Sequence, residues 1–241
     1  MGRLVFLVTA GAALLLTPAP RLHPQQTEAG ERAFREAERL IYSQAGGEEQ
    51  LDSLFVAARE SFDQIREPAV REYSLGRVAL LRGTWFNILD EKRRAVDVLE
   101  EALRRAERAL ELEEFSEGYR LLADAHSQMM LARGVIYMIR HGDEARSAAF
   151  HALELDPSNP RAHISVAGFY LNAPPVAGGD LERGIEVLRS GVRLEEAGES
   201  ERFLMYLWLS DAHEELGNPG AARRYRQEAR AIFPGSPLVA R

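Results

Sequence analysis

Apolar positions along most of this chain recur three and four residues apart, the spacing of one face of an α-helix. In Tyr206–Pro234, the side chains of Tyr206, Leu209 and His213 share one face. After Gly217, Asn218 and Pro219 a second stripe follows at Ala222, Arg226 and Ala229. Asn218 has the side chain of a helix N-cap, and Pro219 suits a first helical position, where its missing N–H has no intrahelical acceptor to lose. Pro234 stops the second helix. The stretch predicts two helices meeting at a tight corner. Ala222 and Ala229 let the two backbones approach closely, but one such pair cannot bury its own apolar face.

Repetition supplies the neighbours. Eighty-seven residues upstream, Tyr119–His126 carries Tyr, Leu, Asp, Ala and His in the places they hold in Tyr206–His213, with Ala123 matching Ser210 as a small residue. Ala145, Ala152 and Pro157 repeat the spacings of Ala222, Ala229 and Pro234, and Gly184 and Gly191 repeat the first of these. Leu75, Gly76 and Gly83 match the first helix, and Ala95 and Ala102 the second.

These residues resemble the tetratricopeptide repeat (TPR) family, whose 34-residue unit has aromatic, Leu and small positions in its first helix, Gly at the corner, and two Ala and a Pro in its second. The reference unit matches through Tyr206, Leu209, Ser210, Gly217, Ala222, Ala229 and Pro234, and departs where His213 replaces an aromatic. The resemblance covers roughly residues 68–236 and implies an all-α fold, an α-solenoid of stacked antiparallel helix pairs with about ten helices. The corner APPVAGGD, Ala173–Asp180, followed by a second-helix pattern, is similar to one found in exported bacterial TPR proteins. Among these is the TPR component that accompanies some TRAP-type solute transporters.

Outside the repeats, Ala33, Phe34, Ala37, Leu40 and Ile41 predict a helix from Glu28 to Ser43, stopped by Gly46 and Gly47. A second helix is expected from Glu48 to Arg66. Residues 28–67 lack the repeat signature and read as a degenerate or capping pair before a repeat domain at 68–241. Behind Arg3, the apolar run Leu4–Leu16 is too short to span a bilayer comfortably and fits a signal peptide over residues 1–19, with an N-terminal anchor as the uncleaved case. Residues 20–27 then form a tether. The expected location is exported: periplasmic, or at the inner membrane if the segment is retained. The chain has no cysteine, so a lipidated cysteine, disulfides and thiolate sites are excluded. Trp85–Leu89 lies where a corner is expected and reads as buried aromatic packing or a protruding patch. Residues 116–139 predict one kinked helix or two abutting ones.

The formal charge of −7, with arginine and glutamate interleaved, argues against nucleic acid as a partner. His126 and His213 hold equivalent repeat positions and read as packing residues; no HExxH appears, so no metal and no cofactor are expected. Asp180 reads as the N-cap of the helix after the Gly178–Gly179 corner, which disfavours a phosphate cradle there. No nucleophile elbow, P-loop or dinucleotide fingerprint is present, so the expected role is non-enzymatic. The resemblance implies a concave groove lined by the first helices, here Arg77, Arg120, Asp124, Gln128, Phe169, Asn172, Asp211, Glu214 and Glu215. The expected partner is a protein or peptide in that groove, in a membrane-associated complex if the anchor is kept. The alternative is a small ligand in a cavity, as for a solute-transport accessory.

Overall fold

The computed structural model describes residues 24–239. Its described residues form ten α-helices and two short 3-10 turns, with no strand among them. The helices are α1 (Pro24–Ser43), α2 (Glu48–Asp63), α3 (Pro68–Ile88), α4 (Lys92–Leu112), α5 (Ser116–Arg133), α6 (Val135–Leu155), α7 (Pro160–Asn172), α8 (Leu181–Val192), α9 (Glu199–Glu215) and α10 (Pro219–Ile232). Each odd helix packs antiparallel on the even helix after it; α3, α5, α7 and α9 also pack on one another as an inner layer. This is the α-solenoid that the repeats imply. The expected signal segment, residues 1–19, lies outside the described residues. Of the expected tether, Pro24–Thr27 already belongs to α1.

Local chemistry sets the corners. Asn159 precedes Pro160 and its side chain accepts from the amides of Arg161 at 3.0 Å and Ala162 at 3.2 Å. Asp180 caps α8 through the Arg183 amide at 3.1 Å, and Asn218 caps α10 through the Ala221 amide at 3.3 Å, as the sequence predicts. Small residues bring the paired helices together: Ala95, Ala102, Ala222 and Ala229 are buried, and a Cβ on Gly83 would lie 2.5 Å from the Leu99 side chain.

Gly134 resolves the 116–139 segment. Its φ of 77° and ψ of −160° lie in a region open essentially to glycine alone, and this single residue reverses the chain between α5 and α6. Two helices abut; neither is a kinked continuation of the other. Leu131, Val135, Ile136 and Ile139 stand exposed at the tip, Ile139 at 77%. Trp85–Ile88 completes the last turn of α3, not a corner. Trp85 and Phe86 are buried, with Trp85 6.3 Å from Phe55 and 5.0 Å from Phe86, while Ile88 and Leu89 are exposed.

The solenoid curls until its first pair meets its last. The Ser236 hydroxyl donates to the Tyr42 carbonyl across 194 positions of sequence. Tyr42 packs on Phe203 at 6.0 Å, and Phe203 on Phe233 at 4.8 Å. Helix α1, which lacks repeat signature residues, thereby closes the inner layer against α9.

Two stability measurements check this register. Asn218→Ala should lower unfolding free energy by about 1 kcal/mol through the lost cap. Ala229→Leu should cost about 1–3 kcal/mol, because the buried site has no room for three more carbons. Unchanged urea midpoints in both variants would contradict the packing described.

Candidate functional site

The inner layer holds a chain of charged groups where a solenoid would otherwise present an open groove. Glu117, Arg120 and Asp124 lie on one face of α5, three and four residues apart. Arg120, only 1% exposed, donates to Glu117 Oε2 from Nε at 2.9 Å and Nη2 at 2.7 Å, to Asp124 Oδ2 at 3.0 Å, and to the Tyr73 hydroxyl at 3.2 Å. Tyr73 in turn donates to Glu117 at 2.7 Å, and Asn159, the cap of α7, reaches the other Glu117 oxygen at 3.0 Å. Ser165 donates to Asp124.

A second set joins the ends of the solenoid. Arg161 of α7 lies 2.6 Å from Glu38 of α1 and 2.6 Å from Glu201 of α9. Arg77 forms a two-pronged pair with Glu31 of α1 at 2.6 and 3.3 Å, and stacks over Phe34 at 4.2 Å. Above these pairs is a pocket of about 690 Å³ between α1, the first turns of α3, α5 and α9, and Arg161 of α7. Phe34, Tyr73, Phe115 and Phe233 supply its apolar wall, and Arg35 and Glu199 stand exposed at its mouth.

Burial opposes the charged form of Glu117, yet Arg120 beside it and the Tyr73 hydroxyl hold its carboxyl at about 2, down from an ordinary 4.5. Burial and the neighbouring Glu117 charge push the Tyr73 phenol up to about 12, so it stays a neutral donor. Burial likewise penalises charged Glu38, but Arg161 outweighs it and keeps that carboxyl below the usual range. The shifts of Glu117, Glu38 and Tyr73 all run away from neutrality, as suits groups held in fixed pairs and not an acid or base at work.

Of the nine groove residues expected from sequence, Arg77 lines the pocket, and Arg120 and Asp124 lie beneath it in the network. The other six do not line it. Gln128 accepts from Asn87 at 2.9 Å, Phe169 packs against Phe150 and Tyr170, and the Asn172 amide turns back to the Gly168 carbonyl at 2.8 Å. Asp211 and Glu214 face Arg226 of α10, at 3.6 and 2.9 Å, and Glu215 is exposed beside them. Residues 211–215 sit in the last turns of α9, and among the described residues no helix pair follows α10 to enclose them. Sequence reasoning misses Glu31, Glu38, Arg161 and Glu201. Their signal is present in α1, whose Glu31 and Glu38 lie seven residues apart on one face, but α1 carries no repeat residues to mark it as part of the lining. His213 is buried against Tyr225, and the expected metal-free reading of the histidines overlooks a convergence of His126, His141 and Glu144, described below.

No protein-family model and no curated protein matches this sequence. Among solved structures, the fold is similar to the HusA haemophore from Porphyromonas gingivalis, at 17% identity and TM-score 0.53 over 87% of this chain and 95% of that one. It is also similar to a thermophilic TPR protein of Thermus thermophilus, at 17% identity and TM-score 0.51 over 88% and 95%. At these identities the likeness is one of fold. The fold is that of TPR solenoid proteins.

Removing the central cation should be expensive. Arg120→Met leaves Glu117 and Asp124 facing each other without it, and should destabilise by about 2–4 kcal/mol; the range starts low because water reaches these partly exposed carboxylates. Because the Glu117 pKa is depressed on folding, its contribution is complete above about pH 4.5 and is lost as pH falls toward 2. Urea midpoints measured across that range should show a shallower acid limb in Arg120→Met than in the parent.

Proposed function

We propose that the protein is a non-enzymatic, exported scaffold of the TPR type that seats a short segment of a protein partner in the pocket between α1 and the inner layer. One observation carries this reading: the Arg120 and Arg161 networks bind their charges to one another, leaving a pocket with an aromatic wall and a charged mouth but, among the described residues lining it, no converging reactive groups. The apolar run behind Arg3 supports export. An extended peptide lying along the whole groove fits less well, because α1 and the Ser236 segment occupy the ends of its path. A short segment approaching the mouth meets both signs of charge at Arg35 and Glu199, which suits a partner sequence that also carries both.

The pocket's size favours a second reading. A volume of about 690 Å³ lies within the range of about 300–1,000 Å³ usual for small-molecule sites, so a ligand-binding accessory of a solute transporter is also accommodated.

Affinity capture from an envelope extract separates the two. The mature chain is compared with Arg35→Glu and Glu199→Arg, which invert charges at the mouth and break no ion pair among the described residues. A protein enriched by the parent and lost from both variants, with melting temperatures unchanged, is the expected result. The same proteins retained by both variants would remove the pocket from the reading. A melting temperature raised by small organic acids, with no mouth-dependent protein partner, would favour the accessory role.

A further inference from the structure

Far from the pocket, toward the tip of the α5–α6 hairpin, three potential metal ligands converge. His126 comes from α5, and His141 and Glu144, three residues apart, come from α6. One ligand atom from each lies within 4.8 Å of the others. Glu144 Oε2 is 3.5 Å from His126 Nε2 and 3.2 Å from His141 Nδ1. Ligands placed tetrahedrally around a zinc-sized ion at about 2.1 Å are about 3.4 Å apart, so the two carboxylate–imidazole separations suit coordination, and the ligand atoms of the two imidazoles lie within 4.8 Å of one another.

His126 is the decisive residue. It is 3% exposed, and its Nε2 is buried without a hydrogen bond while facing Glu144. Its other nitrogen, Nδ1, lies 2.9 Å from the Tyr137 hydroxyl, whose ring stacks on His141 at 4.3 Å. With the proton on Nδ1 donated to Tyr137, the lone pair of Nε2 points at the carboxylate. A buried lone pair opposite a carboxylate is unfavourable unless a proton or cation lies between them. A metal ion meets the same need, and the Tyr137 contact is the kind of outer-shell bond that orients a ligating imidazole.

We infer that His126, His141 and Glu144 form a binding site for one divalent transition-metal ion of the zinc class, bridging α5 and α6. Two imidazoles and one carboxylate exclude calcium and magnesium as the natural occupants and suit zinc. Three protein ligands leave a further coordination position for water or for a group from a partner. The ion ties together the two helices that Gly134 joins by a single residue, and so holds in place the hairpin that carries exposed Leu131, Val135, Ile136 and Ile139.

The test uses the mature chain, stripped with chelator and titrated with zinc chloride by calorimetry, with Co²⁺ as a spectroscopic probe. The expected result is one equivalent bound, visible ligand-field bands with Co²⁺, and a zinc-dependent rise in melting temperature. His141→Ala and Glu144→Gln, both at solvent-reachable positions, should weaken binding by about tenfold or more while the metal-free proteins stay folded. His151→Ala, at a histidine outside the cluster, should leave binding unchanged. Zinc affinity equal to the parent's in both cluster variants would overturn the assignment. So would the absence of any zinc effect on the parent, with Glu144→Gln lowering stability alone, since that is the behaviour of a simple His126–Glu144 ion pair.

Discussion

The structure depends on the burial of Arg120. A guanidinium this enclosed is tolerable only if its donors and its charge are matched, and Glu117, Asp124 and Tyr73 do so from two helices. Those acceptors are themselves fixed by Asn159 and Ser165 of the next helix pair. Three successive inner helices are thus linked in one register through a single buried guanidinium and the acceptors it holds. An apolar inner layer of similar volume could slide by a turn at modest cost, whereas these pairs cannot.

The same logic explains why the ring closes. Glu38 and Glu201 would repel if brought together alone, and Arg161 between them makes their approach favourable. Closure converts a surface into an interior: the face that an open solenoid offers to partners is here largely consumed by the chain's own first helix. What stays available is the pocket beneath α1, together with the outer tips. Function has to be sought where the closing contacts stop.

Most of the architecture could be read from residues. The small positions at Ala95, Ala102, Ala222 and Ala229, the caps Asp180 and Asn218, and the Tyr206 unit are local features whose physics does not depend on the rest of the chain, and each appears where expected. The lining of the inner face was only partly legible. Arg77, Arg120 and Asp124 follow from repeat register, but register says nothing of curvature, and curvature decides which first-helix positions are enclosed. Gly134 was ambiguous for a different reason: the apolar pattern runs on through it, and only its positive φ shows that the chain reverses there. Residues 126, 141 and 144 were hidden because two of them belong to a helix whose start the pattern did not reveal, although the His141 and Glu144 spacing was itself visible.

The repeated Asp-Ala-His shows how position in the array sets chemistry. Asp124 and Asp211 hold equivalent places, yet Asp124 is met by Arg120 and Ser165 within the layer, while Asp211 is exposed beside the last helix. The histidines diverge more sharply. His213 lies against Tyr225, and its Nε2 is 3.4 Å from the Arg189 guanidinium, a cation that would repel any metal ion. At His126 the corresponding nitrogen faces a carboxylate and a second imidazole. Both are buried, and in both burial disfavours protonation. Only at His126 do the neighbours supply negative charge and a second lone pair, so the same repeated residue is packing at one end of the solenoid and ligand-like in the middle.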